Sequence, residues 1–259
     1  MTKNTVQSLW IGPSLSKIEQ LSMRSFVHHG NPYHLYTYSD IDNVPDGVVV
    51  KDANEILPER EIFRDRSGSL GAFSDVFRFK LLESTASFWV DTDVVCLKPY
   101  DFEESEVFGF QDDGSVNGAV LRLSKDSDVL REALDYCARP NVVRDYDSNK
   151  VKRRKLVRKI KRSGLSDISF GEIGPDLITK ILKDKDLLAT AKPIYYFYPI
   201  HHSCARTIFS ENGKEMASFL EHSYSLHLWN EIFRREGIDK NGDFSANSLI
   251  GALMKRYAG

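Results

Sequence analysis

Residues 68–102 read GSLGAFSDVFRFKLLESTASFWVDTDVVCLKPYDF, and the fold class is most readily inferred from this segment. The first half predicts a helix over residues 68–83. The apolar run over residues 88–97, rich in aromatic and β-branched residues and followed by a proline, predicts a strand. Two aspartates, Asp91 and Asp93, interrupt that strand and need a physical reason to be there.

Strand and helix signals alternate on both sides of this stretch. Ser16 and Glu19 form a capping-box pattern that predicts a helix, and Gly30 offers its end. A second helix is predicted over residues 126–138. The predicted strands are QSLWIG, NPYHLYTYSD, the run after VPDG, VFGFQ and GAVLRLS. This alternation predicts an α/β fold with a sheet of mostly parallel strands.

Composition limits the classes of function. The chain has 259 residues with 35 basic and 37 acidic side chains, so its charge gives no general case for nucleic-acid binding. Neither a signal peptide nor a membrane-spanning run is evident. The three cysteines follow no disulfide or zinc pattern, which favours free thiols in a reducing compartment. We therefore predict a cytoplasmic protein.

The two aspartates suggest a metal site. Because they are two residues apart on a strand or just past its end, their side chains can point the same way. Carboxylates placed in this way repel each other unless a cation joins them, and oxygen ligands suit Mg²⁺ or Mn²⁺. In open α/β sheets ligands gather at the carboxyl ends of strands. An apolar strand ending in D-x-D thus predicts a platform for a metal and a diphosphate.

An apolar strand ending in DxDxV is also found in haloacid-dehalogenase phosphatases. In that interpretation Asp91 is a phosphorylated nucleophile and Asp93 an acid/base. The interpretation also requires a distant lysine and a later acidic pair at a spacing that this chain does not offer. Phosphate release from a generic phosphoester would support it.

Residues 150–162 read KVKRRKLVRKIKR and form a break in composition. One interpretation is a solvated helix with a thin apolar stripe. The other is a basic amphipathic surface that contacts an anionic membrane or holds a phosphorylated acceptor. Nucleic acid is disfavoured because no aromatic residues are interleaved for stacking.

Several motifs, in order, resemble the sugar-binding region of DXD glycosyltransferases. They are SLWIGPSLSKIEQLSMRSF, HLYTYSD, the block at residues 68–102, VNGAVL, GPDLITK and SYSLHLWN. The chain is most similar to glycosyltransferase family 32 and to the group of capsular polysaccharide, α-galactosyl- and mannosyltransferases. The resemblance implies a GT-A fold, a nucleotide-sugar donor (UDP rather than GDP), a divalent metal, usually Mn²⁺, and retention at the anomeric carbon.

The resemblance assigns the donor site. Asp75 and Arg78 lie one helical turn apart and so share a face; the resemblance implies that they bind the hydroxyls of the donor sugar, although a surface ion pair would have the same spacing. Asp93 is implied to bind the metal, and Asp91 to contact the ribose or reach the metal through water. His227 is implied as the third contact of the metal or diphosphate.

Other site residues follow from the same resemblance. Trp10, Ile11 and Gly12 end the first predicted strand, where the family contacts the base. Tyr38 ends the second and is placed to stack on that base. For each, a half-buried strand residue or a turn glycine is the alternative interpretation.

The acceptor and leaving-group sides involve three further residues. Asn117 lies at the mouth of a strand and is implied to contact the sugar, although Asn-Gly is also a common hairpin turn. Asp176 is implied on the acceptor side, although it also suits a helix start. Trp229 faces the same way as His227 in a strand-like stretch, and its indole N–H is implied to donate to the leaving diphosphate.

The chain departs from the family at one turn. Relatives commonly carry two glycines where this chain has Ala86 and Ser87, and a turn that needs positive φ strains those residues.

We predict a single GT-A domain over residues 1–259. Residues 1–125 bind the nucleotide sugar and residues 126–259 form the acceptor side. The predicted activity is transfer of a hexose to a glycan or lipid-linked glycan, as in bacterial polysaccharide synthesis. Asp75, Arg78, Asp93 and Trp229 are the predicted catalytic residues. An inactive GT-A module that binds a partner is the remaining alternative.

Overall fold

The computed structural model describes residues 3–112, 114–169, 171–211 and 215–258. Eight strands form two sheets. The strands are β1 Val6–Trp10, β2 Tyr33–Thr37, β3 Val48–Asp52, β4 Phe88–Val90, β5 Val94–Cys96, β6 Val107–Asp112, β7 Ser115–Arg122 and β8 Ser225–His227. The main sheet has the order β3-β2-β1-β4-β7-β6, and β5 pairs with β8 in a small second sheet.

Within the described part of the chain, eight α-helices flank these sheets. They are α1 Lys17–His28, α2 Gly71–Thr85, α3 Asp128–Ala138, α4 Asn149–Lys161, α5 Pro175–Asp184, α6 Ile194–Phe197, α7 Asn230–Glu236 and α8 Leu249–Arg256. Short 3₁₀ segments cover Ala53–Glu55, Glu59–Glu61, Leu165–Asp167, Leu188–Thr190, His202–Phe209 and Glu215–Leu220. Within the described residues, each helix is too short or too polar to cross a bilayer.

Strand direction confirms the predicted fold class. β1 runs parallel to β2 and β4, and β2 runs parallel to β3. β7 is antiparallel to β4 and β6. Helices α2, α3 and α5 cover one face of this sheet, while α1 and α6 pack against the other. This mostly parallel sheet between helical layers is a GT-A, Rossmann-like fold.

The predicted strand over residues 88–97 is wrong in one respect, because it is two strands. β4 ends at Val90, and β5 starts at Val94 in the other sheet. The chain turns between them, where Val94 N–H donates to the carbonyl of Asp91 at 3.1 Å. Asp91 and Asp93 therefore lie in the turn at which the chain leaves the main sheet.

Helix α1 begins as predicted. The Ser16 side chain caps the helix, and the Glu19 carboxylate accepts from the Ser16 N–H at 2.9 Å. The departure at Ala86 is also resolved, since Ala86 ends α2 with a φ of 53°. An alanine therefore occupies a left-handed conformation that favours glycine, and the backbone there is strained.

Helix α4 is inverted relative to the predicted solvated helix with an apolar stripe. Lys155 and Arg158 point inward and are buried, whereas Leu156 and Ile160 are 58% and 73% exposed. The Lys155 ammonium is satisfied by the Asp147 carboxylate at 2.7 Å, and Arg158 by Glu172 at 2.7 Å. Specific ion pairs, rather than apolar contacts, hold this helix against the protein.

Candidate active site

The candidate site lies at the carboxyl edge of the parallel strands, where α/β sheets bind ligands. β1, β2 and β4 end there. β7 runs antiparallel to β4, so the first residues of β7 lie at the same edge, beyond the end of β4. There the Asp91 N–H donates to the Ala119 carbonyl at 2.8 Å.

A buried guanidinium connects α2 to the aspartate turn. Arg78 Nη1 lies 2.9 Å from Asp75 Oδ1, and Arg78 Nη2 lies 2.8 Å from Asp91 Oδ1. Only 5% of the Arg78 side chain is exposed. The pair of Asp75 and Arg78 is thus not a surface ion pair, and it reaches directly to the first aspartate of the D-x-D motif.

Two glycines make room for this network. A Cβ added to Gly118 would lie 2.2 Å from Arg78 Nη1, and one added to Gly174 would lie 2.8 Å from Asp75 Oδ2. At both distances a side chain on the glycine would force the charged group to shift. β7 and the start of α5 therefore press their bare backbone against the two charged groups and fix them in place.

Trp89 completes the surroundings of Arg78 and Asp91. Its indole N–H donates to Asp91 Oδ1 at 2.6 Å, and the Arg78 guanidinium lies 4.9 Å from the centre of its ring. Arg78 Nε is buried and has no partner among the described residues. A buried charged donor without a partner is costly unless a ligand accepts from it, and a sugar hydroxyl is such an acceptor.

Burial changes the protonation of Asp75. It raises the pKa of this carboxyl to about 6, although the Arg78 charge opposes that rise. The Asp75 carboxyl therefore titrates closer to neutral pH than the carboxyl of an exposed aspartate does. An ionised carboxylate only accepts hydrogen bonds, whereas a protonated carboxyl can also donate one.

The second aspartate is held by β8 and α7. Asp93 Oδ1 lies 3.2 Å from His227 Nε2, and Asp93 Oδ2 accepts from the Asn230 N–H at 2.7 Å. Burial alone would raise the pKa of Asp93, but His227 and the Asn230 hydrogen bond bring it below its usual value. Burial would likewise lower the pKa of His227, but the Asp93 carboxylate raises it.

Asp91, Asp93 and His227 fit a divalent ion. One ligand atom from each lies within 4.8 Å of the others. Neighbouring ligands of an octahedral ion with bonds of ~2.1 Å are about 3.0 Å apart, and opposite ones are about 4.2 Å apart. Small movements of the three side chains would therefore bring their ligand atoms to these separations. His227 Nδ1 is buried without a partner in the described chain, so the ring is held through the Nε2 side alone.

The predicted base-binding residues lie along the same edge. Trp10 ends β1, and its indole N–H has no partner in the described structure. Gly12, two residues on, has a φ of 159°, and Ile11 between them packs on the core. Tyr38 follows β2 and donates to the Leu57 carbonyl at 2.9 Å, which holds its ring beside α2.

A chain of contacts links the base side to the metal side. Lys240 lies 5.6 Å from the Trp10 ring and hydrogen bonds to Glu19, which also accepts from the Asn230 side chain at 3.0 Å. Asn230 in turn donates to Asp93. The Glu19 of the capping box is thus fully buried between the two halves of the site.

Asn117 and Asp176 have different surroundings. Asn117 lies within β7 rather than in a hairpin turn; its amide donates to Gln111 at 2.7 Å and accepts from the Ala119 N–H at 2.7 Å. Asp176 lies in the first turn of α5 and is exposed, two residues after the glycine that contacts Asp75.

Trp229 lies beside His227, with ring centres 4.2 Å apart. The strand ends at His227, and Trp229 has a φ of 61°, so the backbone turns sharply there. The Trp229 indole N–H donates to the Ile200 carbonyl at 2.9 Å. Left-handed backbone at a bulky residue is strained and is often found at functional sites.

Comparison with known proteins agrees with this geometry. Residues 166–257 match the family model described as an alpha 1,4-glycosyltransferase conserved region. The protein is a glycosyltransferase. The match spans about a third of the chain and contains Asp176, His227 and Trp229. No curated protein matches the chain.

The match confirms the predicted resemblance to family 32 and the prediction of an enzyme. The phosphatase and the inactive module are not supported. In general terms a glycosyltransferase uses a nucleotide-sugar donor and a glycan acceptor.

Sequence reasoning missed four residues that build the site. Gly118 and Gly174 give the space for Arg78 and Asp75, and Glu19 and Asn230 connect the base side to Asp93. Gly118 follows Asn117 in VNGAVL, and Gly174 stands two residues before Asp176 in GPDLITK. A glycine beside a predicted site residue is a signal of close backbone approach. Glu19 carried only a helix-capping signal.

Proposed function

We propose that this glycosyltransferase transfers a hexose from a UDP-sugar to a hydroxyl of a glycan or lipid-linked glycan, with Mn²⁺ (or Mg²⁺) as cofactor. The observation that carries the proposal is the convergence of Asp91, Asp93 and His227 next to the buried pair of Asp75 and Arg78. One group suits a metal and a diphosphate, and the other suits a sugar.

The metal ligands in this proposal are Asp93 and His227, with Asp91 as a further ligand or as a contact of the ribose. Bound there, the ion supplies positive charge that neutralises the departing diphosphate. The protein supplies the geometry: the turn between β4 and β5 presents both aspartates, and β8 presents the histidine.

The sugar pocket in this proposal is formed by Asp75, Arg78 and Asn117. The free Nε of Arg78 donates to a sugar hydroxyl, and the carboxyl of Asp75 binds another. Trp10, Ile11, Gly12 and Tyr38 receive the base. Asp176 lies on the acceptor side, where its exposure allows contact with an incoming hydroxyl.

Trp229 requires an exchange of partners. Its indole N–H now donates to the Ile200 carbonyl. For Trp229 to donate to the diphosphate, the indole has to leave that carbonyl when the donor binds. The strained backbone at residue 229 makes such a movement less costly than it would be from a relaxed conformation.

Retention at the anomeric carbon is part of the proposal. The matched region is described as an alpha 1,4-glycosyltransferase, and transfer from an α-linked nucleotide sugar to an α-linked product retains configuration. Front-face displacement and double displacement are both compatible with the residues present. The anomeric coupling constant in the NMR spectrum of the product tests retention.

The test of the function is a thermal-shift screen of UDP- and GDP-sugars with Mn²⁺ or with EDTA, followed by an assay of UDP release. A ligand at a hundred times its Kd stabilises the folded state by about 2.7 kcal/mol, so a donor that needs Mn²⁺ raises the Tm in the Mn²⁺ arm alone. No shift with any nucleotide sugar, or full activity in EDTA, would refute the proposal.

Arg78→Lys is the informative variant for the sugar pocket. Arg78→Ala would leave Asp75 and Asp91 without their cation and endanger folding, whereas lysine keeps the charge. We expect Arg78→Lys to lose donor turnover and to keep binding of free UDP with Mn²⁺. Equal loss of both would show that Arg78 does not act on the sugar.

A further inference from the structure

A cationic cleft of about 590 Å³ lies along one face of α4. Its other walls are Arg66 and the segment that carries Asp167 and Ser169. The cations that line it are Arg66, Lys150, Arg153, Arg154, Arg158 and Lys161. Asp167 is the acidic residue of the lining.

Most of these cations have no partner among the described residues. Arg158 is paired with Glu172. The side chains of the other five make no hydrogen bond or ion pair with any described residue. When Glu172 and Asp167 are set against two of the six cations, four positive charges remain uncompensated.

This arrangement favours a compact anion. Lys150, Arg153 and Arg154 are neighbours at helical spacing, so their like charges repel and destabilise the helix. A concave surface of one sign focuses the potential more than a flat one. Arginine guanidinium groups bind phosphate oxygens in a bidentate manner. A phosphate in the cleft would thus relieve the repulsion and be held from several sides.

The cleft is close to the predicted sugar pocket. Its wall at Ser169 is five residues from Gly174, and five extended residues span at most ~18 Å. Gly174 contacts Asp75. An acceptor that spans ~18 Å or more is therefore long enough to contact both the sugar pocket and the cleft.

We propose that the cleft binds a phosphate group carried by the acceptor, either a sugar phosphate or the diphosphate of a lipid-linked glycan. The inference rests on the proposed function, because it names the class of acceptor. Nucleic acid is disfavoured, since the lining of the cleft includes, among the described residues, no aromatic side chain on which bases stack. An anionic membrane is the competing source of phosphate, because Leu156 and Ile160 are exposed on the outer face of the same helix.

The experiment compares two triple variants of equal charge. Lys150→Gln/Arg153→Gln/Arg154→Gln removes three exposed cations of the cleft, and Lys152→Gln/Lys159→Gln/Arg162→Gln removes three exposed cations of α4 and its end outside the cleft. Lys155 and Arg158 stay unchanged because they are buried in ion pairs. Arg66→Gln removes a cleft cation from a different segment and so does not depend on α4 remaining folded.

Binding is measured by calorimetry in EDTA, without nucleotide, with glucose 1-phosphate and with a short-chain prenyl diphosphate as probes. Vesicles containing phosphatidylglycerol form a third arm. We expect the parent to bind at least one phosphate probe in a salt-sensitive manner. The cleft triple should bind at least ~10-fold more weakly, Arg66→Gln should also bind more weakly, and the control triple should stay within ~2-fold.

Three results would overturn the proposal: no binding of either probe by the parent, equal weakening in both triple variants, or binding to vesicles alone. The last would assign the helix to a membrane surface. Binding of UDP with Mn²⁺, measured in parallel, reports on the donor site. If the parent does not bind UDP with Mn²⁺, the proposed function is refuted, whatever the cleft binds.

Discussion

Replacing Gly118 by alanine should disable sugar transfer while the protein remains folded. The added Cβ would lie 2.2 Å from Arg78 Nη1, whereas ordinary contacts are 3.4–4 Å. The guanidinium therefore has to retreat by about 1.2 Å. Its bonds to Asp75 and Asp91, now 2.9 and 2.8 Å long, cannot both survive such a shift.

The size of the effect follows from this displacement. A misplacement of about 1 Å in a positioned group can reduce the rate by ~10²-fold, which corresponds to about 2.7 kcal/mol of transition-state stabilisation. We expect kcat/KM for UDP release from the preferred UDP-sugar to fall by that factor. Binding of free UDP with Mn²⁺ should change little, because Arg78 is assigned to the sugar.

Gly109→Ala provides a matched control in the neighbouring strand. Its added Cβ would lie 2.7 Å from Phe197 Cδ2, so it also creates a clash, but with an apolar ring. Overpacking of this kind costs about 1–3 kcal/mol of stability, and it leaves Arg78 in place. If a folded Gly118→Ala variant keeps kcat/KM within threefold of the parent, or if both variants lose activity equally, Arg78 does not have the position and role assigned to it.

Three further predictions follow. Asp93→Asn should lower activity by ~10²–10³-fold with Mn²⁺ and lower the Tm in EDTA, because Asp93 loses its pairing with His227; an unchanged Tm would contradict this. Since Asp75 has a pKa of about 6 in the folded protein against 3.8 ordinarily, its contribution to stability declines as pH rises from about 4 to 6, by about 3 kcal/mol in total; urea unfolding of Asp75→Asn should show a flatter pH profile over that range. Ala86→Gly should raise the free energy of unfolding by up to about 1 kcal/mol by relieving left-handed strain, whereas Ser87→Gly should not.

Local signals predicted most elements of the sheet and its helices. The capping box of α1 and the alternation around residues 68–102 depend on contacts close in sequence, and these elements were confirmed. The prediction of a single strand over residues 88–97 was wrong because the segment forms two strands, β4 and β5. The second of these pairs with β8, which lies more than a hundred residues later in the chain. Nothing in an apolar run indicates which sheet each half joins.

Helix α4 shows a different limit of sequence reasoning. Hydrophobic periodicity assumes that apolar residues turn inward. Lys155 is fully buried because Asp147 lies opposite it, and Leu156 is exposed as a consequence. A buried ion pair cannot be inferred from one member of the pair, so hydrophobic periodicity alone does not give the orientation of this helix.

The candidate site was predicted from the types of residue but not from their charge balance. Asp91 and Asp93 were expected to repel each other in the absence of a metal. Instead the Arg78 guanidinium pairs with Asp91, and His227 Nε2 lies 3.2 Å from Asp93 Oδ1. Arg78 comes from α2, the helix just before β4, whereas His227 comes from the distant strand β8, and only the folded chain brings both to the turn.

This charge balance bears on how the site works. Because Arg78 pairs with Asp91 and the Asn230 N–H donates to Asp93, the turn between β4 and β5 can hold its shape without an added cation. Ligands that are already close together need little reordering when an ion arrives, so less binding energy is lost to ordering. The same arrangement makes Arg78 a shared element, since it contacts Asp75 in the proposed sugar pocket and Asp91 in the proposed metal site. A change at Asp91 should therefore be felt by the donor sugar as well as by the metal.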